Sequence, residues 1–60
     1  MKLQSIIPVT RYEYTQLWIF PKNRIMELND MGQQGWKLIT KVETSDSGAD
    51  LFLFVRKIRE

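Results

Sequence analysis

The spacing of apolar positions changes along this chain from the short repeat of a strand to the longer repeat of a helix and back again. Val9 to Phe20 is rich in β-branched and aromatic residues and reads as a first strand. Tyr12 and Tyr14 share one face of that strand, while Leu17 and Ile19 fall on the other. Either a bulge near Thr15-Gln16 resets the phase or both faces are covered. Pro21 ends the strand and suits the first turn of a helix. From Lys22 to Met31 the stripe Ile25, Leu28, Met31 follows helical spacing, with Asn23, Glu27 and Asp30 on the opposite arc. Met26 lies off the stripe and reads as a half-buried gap filler.

Trp36 to Thr44 reads as a second strand, with Trp36, Leu38, Thr40 and Val42 on one face and Lys37, Ile39, Lys41 and Glu43 on the other. Ser45-Asp46-Ser47-Gly48 is a turn signal. Asp50 to Ile58 is a third strand whose run Leu51-Phe52-Leu53-Phe54-Val55 is apolar on both faces, as expected of a central strand. Residues 1–8 form a lead-in closed by Pro8, and a charged tail ends the chain.

The predicted fold is therefore α+β, a β-α-β-β unit in a single domain over residues 1–60. A short hairpin joins the last two strands, so the expected antiparallel sheet has the order 1-3-2, with the helix on one face. One helix covers one face. Leu51, Leu53 and Val55 point one way and Phe52 and Phe54 the other, so one set lacks a partner within the chain. A second copy is expected to cover the open face, with Ile39, Phe52 and Phe54 assigned to that interface.

The junction Leu28-Asn29-Asp30-Met31-Gly32-Gln33-Gln34-Gly35-Trp36 marks where the helix stops and a strand begins. Gly32 is expected to cap the helix in a left-handed conformation, Gly35 to let Trp36 turn onto it, and Asn29 to hydrogen-bond the junction backbone. The pattern Leu28-Asn29, Gly32, Gly35-Trp36, Leu38, with Tyr12-Glu13-Tyr14 ahead of it, resembles the domain-of-unknown-function 4177 family of small bacterial and phage proteins. The resemblance spans roughly residues 10–58. It implies a compact strand-helix-strand-strand unit and no catalytic residue.

Composition narrows the chemistry. The chain has no cysteine and no histidine, so disulfides, thiolate metal sites and the commonest general base are excluded. No phosphate-binding glycine loop or nucleophile elbow occurs. Asp46, Ser47 and Asp50 are too few to ligate calcium, and Asp46 and Asp50 read as turn residues. No enzyme activity, cofactor or metal is expected. The apolar run Ile6-Ile7 is too short for a signal peptide, and no window approaches the ~20 apolar residues of a membrane span. A soluble, cytoplasmic protein is expected, in the host cytoplasm if phage-encoded.

Nine basic residues against seven acidic ones give a net charge of +2, too mild for a dedicated DNA-binding domain but compatible with an anionic small ligand. Lys37 and Lys41 are expected on one strand face, joined by Arg56 or Lys57 and by Arg11. With Tyr14 and Trp18 these form the candidate ligand site, since basic groups beside aromatic faces hold nucleotides by phosphate pairing and base stacking. The expected function is a homo-oligomeric binding protein that sequesters a nucleotide-type ligand, in the manner of a phage anti-defence protein. The alternatives are an inhibitor or adaptor acting on a host protein and a weak single-stranded nucleic-acid binder.

Overall fold

A computed structural model describes residues 9–58; the expected lead-in over residues 1–8 and the end of the charged tail lie outside the described residues. Strand β1 spans Tyr12–Ile19, a 3-10 turn covers Pro21–Asn23, helix α1 spans Arg24–Gln33, β2 spans Lys37–Thr44 and β3 spans Asp50–Lys57. The three strands form one antiparallel sheet in the order β1-β3-β2. This is the α+β, β-α-β-β fold expected from the sequence.

Register assigns the faces, because residues directly opposite one another in an antiparallel pair point to the same side. Glu13, Thr15, Leu17 and Ile19 lie opposite Arg56, Phe54, Phe52 and Asp50. This is the helix side. Ile19, Phe52 and Phe54 are its buried core, and Leu17, Leu28, Met31 and Trp36 pack on them. Tyr12, Tyr14, Gln16 and Trp18 lie opposite Lys57, Val55, Leu53 and Leu51 on the open side. Pairing along β1 is continuous, so no bulge resets its phase. The two tyrosines simply face away from the helix.

Five expectations are corrected. Phe52 and Phe54 are not interface residues: at 8% and 1% exposure they are the chain's own core. The helix stripe reduces to Leu28 and Met31, because the helix begins after a 3-10 turn that rotates Ile25 into solvent; Ile25 is 69% exposed and Met26 is exposed as well. The helix runs through Gly32 to Gln33, and the cap glycine is Gly35 at φ +90°. The Gly35 N–H donates to the Gly32 carbonyl (2.9 Å) and the Trp36 N–H to the Met31 carbonyl (3.0 Å), the paired bonds of a Schellman motif. Asn29 is exposed, and its side chain makes no hydrogen bond to the junction among the described residues.

The fifth correction concerns β2. Its pairing with β3 shifts between Leu38 and Thr40 and again between Lys41 and Glu43. Ile39 and Val42 are the extra residues, so Leu38, Lys41 and Thr44 lie on the helix side and Lys37, Thr40 and Glu43 on the open side. Lys37 and Lys41 do not share a face. The β2–β3 hairpin closes through Gly48 at φ +93°, whose N–H donates to the Ser45 carbonyl (3.0 Å). Ser45 Oγ accepts from the Ala49 N–H (3.1 Å) and completes the turn.

Candidate functional site

The six candidate ligand residues divide between the two faces. On the helix side, Arg56 has three partners. Its Nε donates to Glu13 Oε2 (2.8 Å), its Nη1 donates to the Gln34 carbonyl (2.8 Å), and its guanidinium lies 4.1 Å from the centre of the Trp36 ring. A depression of about 530 Å³ lies here, lined by Glu13, Gln33, Gln34, Gly35, Arg56 and Lys57. An anion entering it meets a guanidinium already neutralised by Glu13. The arrangement braces the helix terminus to the sheet.

Lys41 stands at the other end of the same face. Its Nζ lies 4.0 Å from Asp50 Oδ1, and Arg24 Nη2 lies 3.7 Å from Asp50 Oδ2. The Thr44 hydroxyl donates to Asp50 Oδ1 (2.7 Å). Asp50 is therefore a buried, partnered carboxylate rather than a solvated turn residue. Arg11 precedes β1 with the parity of Glu13, and its carbonyl accepts from the Ile58 N–H (2.9 Å). Arg11, Lys41 and Arg56 are thus separated from Tyr14 and Trp18.

The open face collects the rest. Across the sheet, Tyr14, Val55 and Lys37 form one row, Gln16, Leu53 and Thr40 the next, and Trp18, Leu51 and Glu43 a third. Tyr12 and Lys57 pair in a fourth. Tyr12, Tyr14 and Trp18, on the outer strand β1, are 54%, 63% and 45% exposed. Leu51 is buried and Leu53 and Val55 half-buried between them and β2, so the exposed apolar surface of this face is chiefly the aromatic row on β1. A shallow groove of about 510 Å³ runs along Tyr14, Thr15, Gln16 and Leu53.

The charged groups of this face are Lys37, Lys57 and Glu43. Each aromatic lies two or four residues from the next, about 7 Å per step of two along an extended strand. The surface can stack planar groups along β1 and pair anions at Lys57 and Lys37. Tyr12 is the member that the sequence reading left out, and Lys57, offered there as the alternative to Arg56, is the one that lies on this face. Their signal was the shared parity of Tyr12 with Tyr14 and the register that sets Lys57 beside Tyr12. Ile39, assigned to an interface, is half-exposed at the first β2 bulge. No helix among the described residues is long and apolar enough to cross a membrane. No protein-family model, curated protein or solved structure matches this chain.

Proposed function

We propose that this protein is a non-enzymatic binding module that holds a nucleotide-type ligand on the open face of its sheet. The exposed row Tyr12, Tyr14 and Trp18, flanked by Lys57 and Lys37, carries this reading. Aromatic side chains kept in water on a sheet face offer stacking surfaces, and each stacked base contributes about 1–3 kcal/mol. The two lysines supply the phosphate contacts. Such a module acts by sequestering its ligand.

The test uses Trp18 as its own reporter, in a Trp36→Phe background that removes the second tryptophan. Titration with ATP should quench Trp18 fluorescence to saturation and raise the melting temperature, since a ligand bound only by the native state stabilises it. Tyr14→Ala should weaken binding at least tenfold, and Lys37→Glu should abolish it without unfolding the chain. Absence of both quenching and thermal protection at millimolar ATP would sink the proposal.

The alignment of three aromatics along one strand favours a second reading, in which successive bases of a single strand occupy the row. Oligothymidylates would then bind more tightly with length and lose affinity steeply with salt. ATP would show neither trend.

A further inference from the structure

The two outer edges of the sheet are built differently. The β2 edge carries two bulges, at Ile39 and Val42, and the charged residues Lys37, Lys41 and Glu43. Bulges and edge lysines are the usual devices that stop a strand edge from recruiting another. The β1 edge has none of them. Its eight residues, Tyr-Glu-Tyr-Thr-Gln-Leu-Trp-Ile, pair with β3 in continuous register. They contain no proline, glycine or lysine, and the one charged side chain, Glu13, is tied to Arg56 on the helix side.

The backbone groups of that edge can be assigned. The Ile58 N–H donates to the Arg11 carbonyl, so Arg11 and Ile58 form a hydrogen-bonded pair. Such pairs alternate along an antiparallel ladder. Glu13, Thr15, Leu17 and Ile19 therefore direct their backbone groups at β3. Tyr12, Tyr14, Gln16 and Trp18 direct theirs outward, and β1 has no strand on that side among the described residues.

We infer that the β1 edge pairs with the β1 edge of a second copy of this chain, antiparallel, about a two-fold axis at Thr15. This register sets Tyr12 opposite the partner's Trp18 and Tyr14 opposite the partner's Gln16. Every outward N–H and C=O from Tyr12 to Trp18 then finds a partner, in both copies. The axis is perpendicular to the sheet, so both helices lie on one side and both open faces on the other. Two Tyr–Trp cross-strand pairs form at the centre of a six-stranded sheet. No like charges meet, because Glu13 lies opposite Leu17 of the partner subunit. The pairing deepens the proposed function, since the aromatic row becomes continuous across two copies, but it does not require a ligand.

The chain has no cysteine, so single substitutions report the pairing directly. Thr15 would face its twin as a non-hydrogen-bonded pair, Cα atoms about 4.5 Å apart, within the range a disulfide spans. Gln16 would lie roughly 8 Å from its twin, beyond that range. Without ligand, the unmodified chain should sediment as a dimer, and Thr15→Cys should oxidise rapidly to a covalent dimer under native conditions. Gln16→Cys and Val42→Cys should not. Gln16→Pro, which deletes an outward N–H and no bond to β3, should weaken the dimer at least tenfold. A chain that sediments as a monomer at 100 μM, or crosslinking at Gln16 or Val42 in place of Thr15, would overturn the inference. ATP binding by a monomer would leave the proposed function standing without it.

Discussion

Gly32 and Gly35 lie three residues apart and obey different constraints. Gly32 sits within the helix with open space where a Cβ would go. Alanine there removes backbone freedom from the unfolded chain and should stabilise the protein by up to about 1 kcal/mol. Gly35 holds φ +90°, and a Cβ would stand 3.4 Å from Arg56 Cδ. Gly35→Ala should therefore cost about 1–2 kcal/mol. Urea denaturation of the two variants gives midpoints displaced in opposite directions if the cap is at Gly35, and in the reverse directions if it is at Gly32. The sequence showed two glycines near a helix end. Only the hydrogen bonds from Gly35 and Trp36 back to Gly32 and Met31 reveal which one reverses the chain.

The strand and helix order was legible because each element carries a strong local signal. The doubly apolar β3 and the short Ser-Asp-Ser-Gly turn leave little choice of sheet order. Which face of β3 meets the helix was not legible, because Leu51, Leu53 and Val55 are as apolar as Phe52 and Phe54. The structure puts the phenylalanines inside, so Phe54→Ala should cost about 3–5 kcal/mol. Far-UV circular dichroism should find that variant largely unfolded at 25 °C, with Tyr14→Ala retaining the native spectrum. The β2 bulges left no signal either. Ile39 and Val42 are ordinary strand residues, and nothing local distinguishes a bulged position from a paired one. Each slip reverses the facing of all that follows, which separates Lys41 from Lys37 and dissolves the predicted basic patch. The Tyr14, Trp18 and Lys37 part of the candidate site survives because it precedes the first slip or lies on the unbroken strand.

Across the molecule, the helix is pinned to β3 at both ends and packed in the middle. Arg24, its first residue, reaches Asp50 at the start of β3, and the carbonyl of Gln34, just past its end, accepts from Arg56 near the end of β3. The guanidinium also lies where the helix dipole favours a cation. Between the two clamps, Leu28 and Met31 rest on the phenylalanine core. Both clamps are partly open to solvent on the cation side, which limits what each contributes. Asp50→Asn and Arg56→Met should each cost about 1 kcal/mol. The sites are six residues apart along a strand, roughly 20 Å, so the double variant should lose the sum of the two to within about 0.5 kcal/mol. A double-mutant cycle in urea checks this, and a large coupling term would mean that the helix docks as an all-or-none unit through its clamps.

The position of β3 also sets the order in which the chain can acquire structure during synthesis. The strand that β1, β2 and the helix pack against is made after all of them, and β1 must wait for a partner more than thirty residues downstream, from Ile19 opposite Asp50 out to Tyr12 opposite Lys57. Translation proceeds at about 5–20 residues per second. Until β3 is available, the segment before it is an aromatic-rich strand beside a helix too short to hold by itself. Released chains truncated before residue 50 should therefore be captured by chaperones, and chains that extend through residue 57 should escape capture.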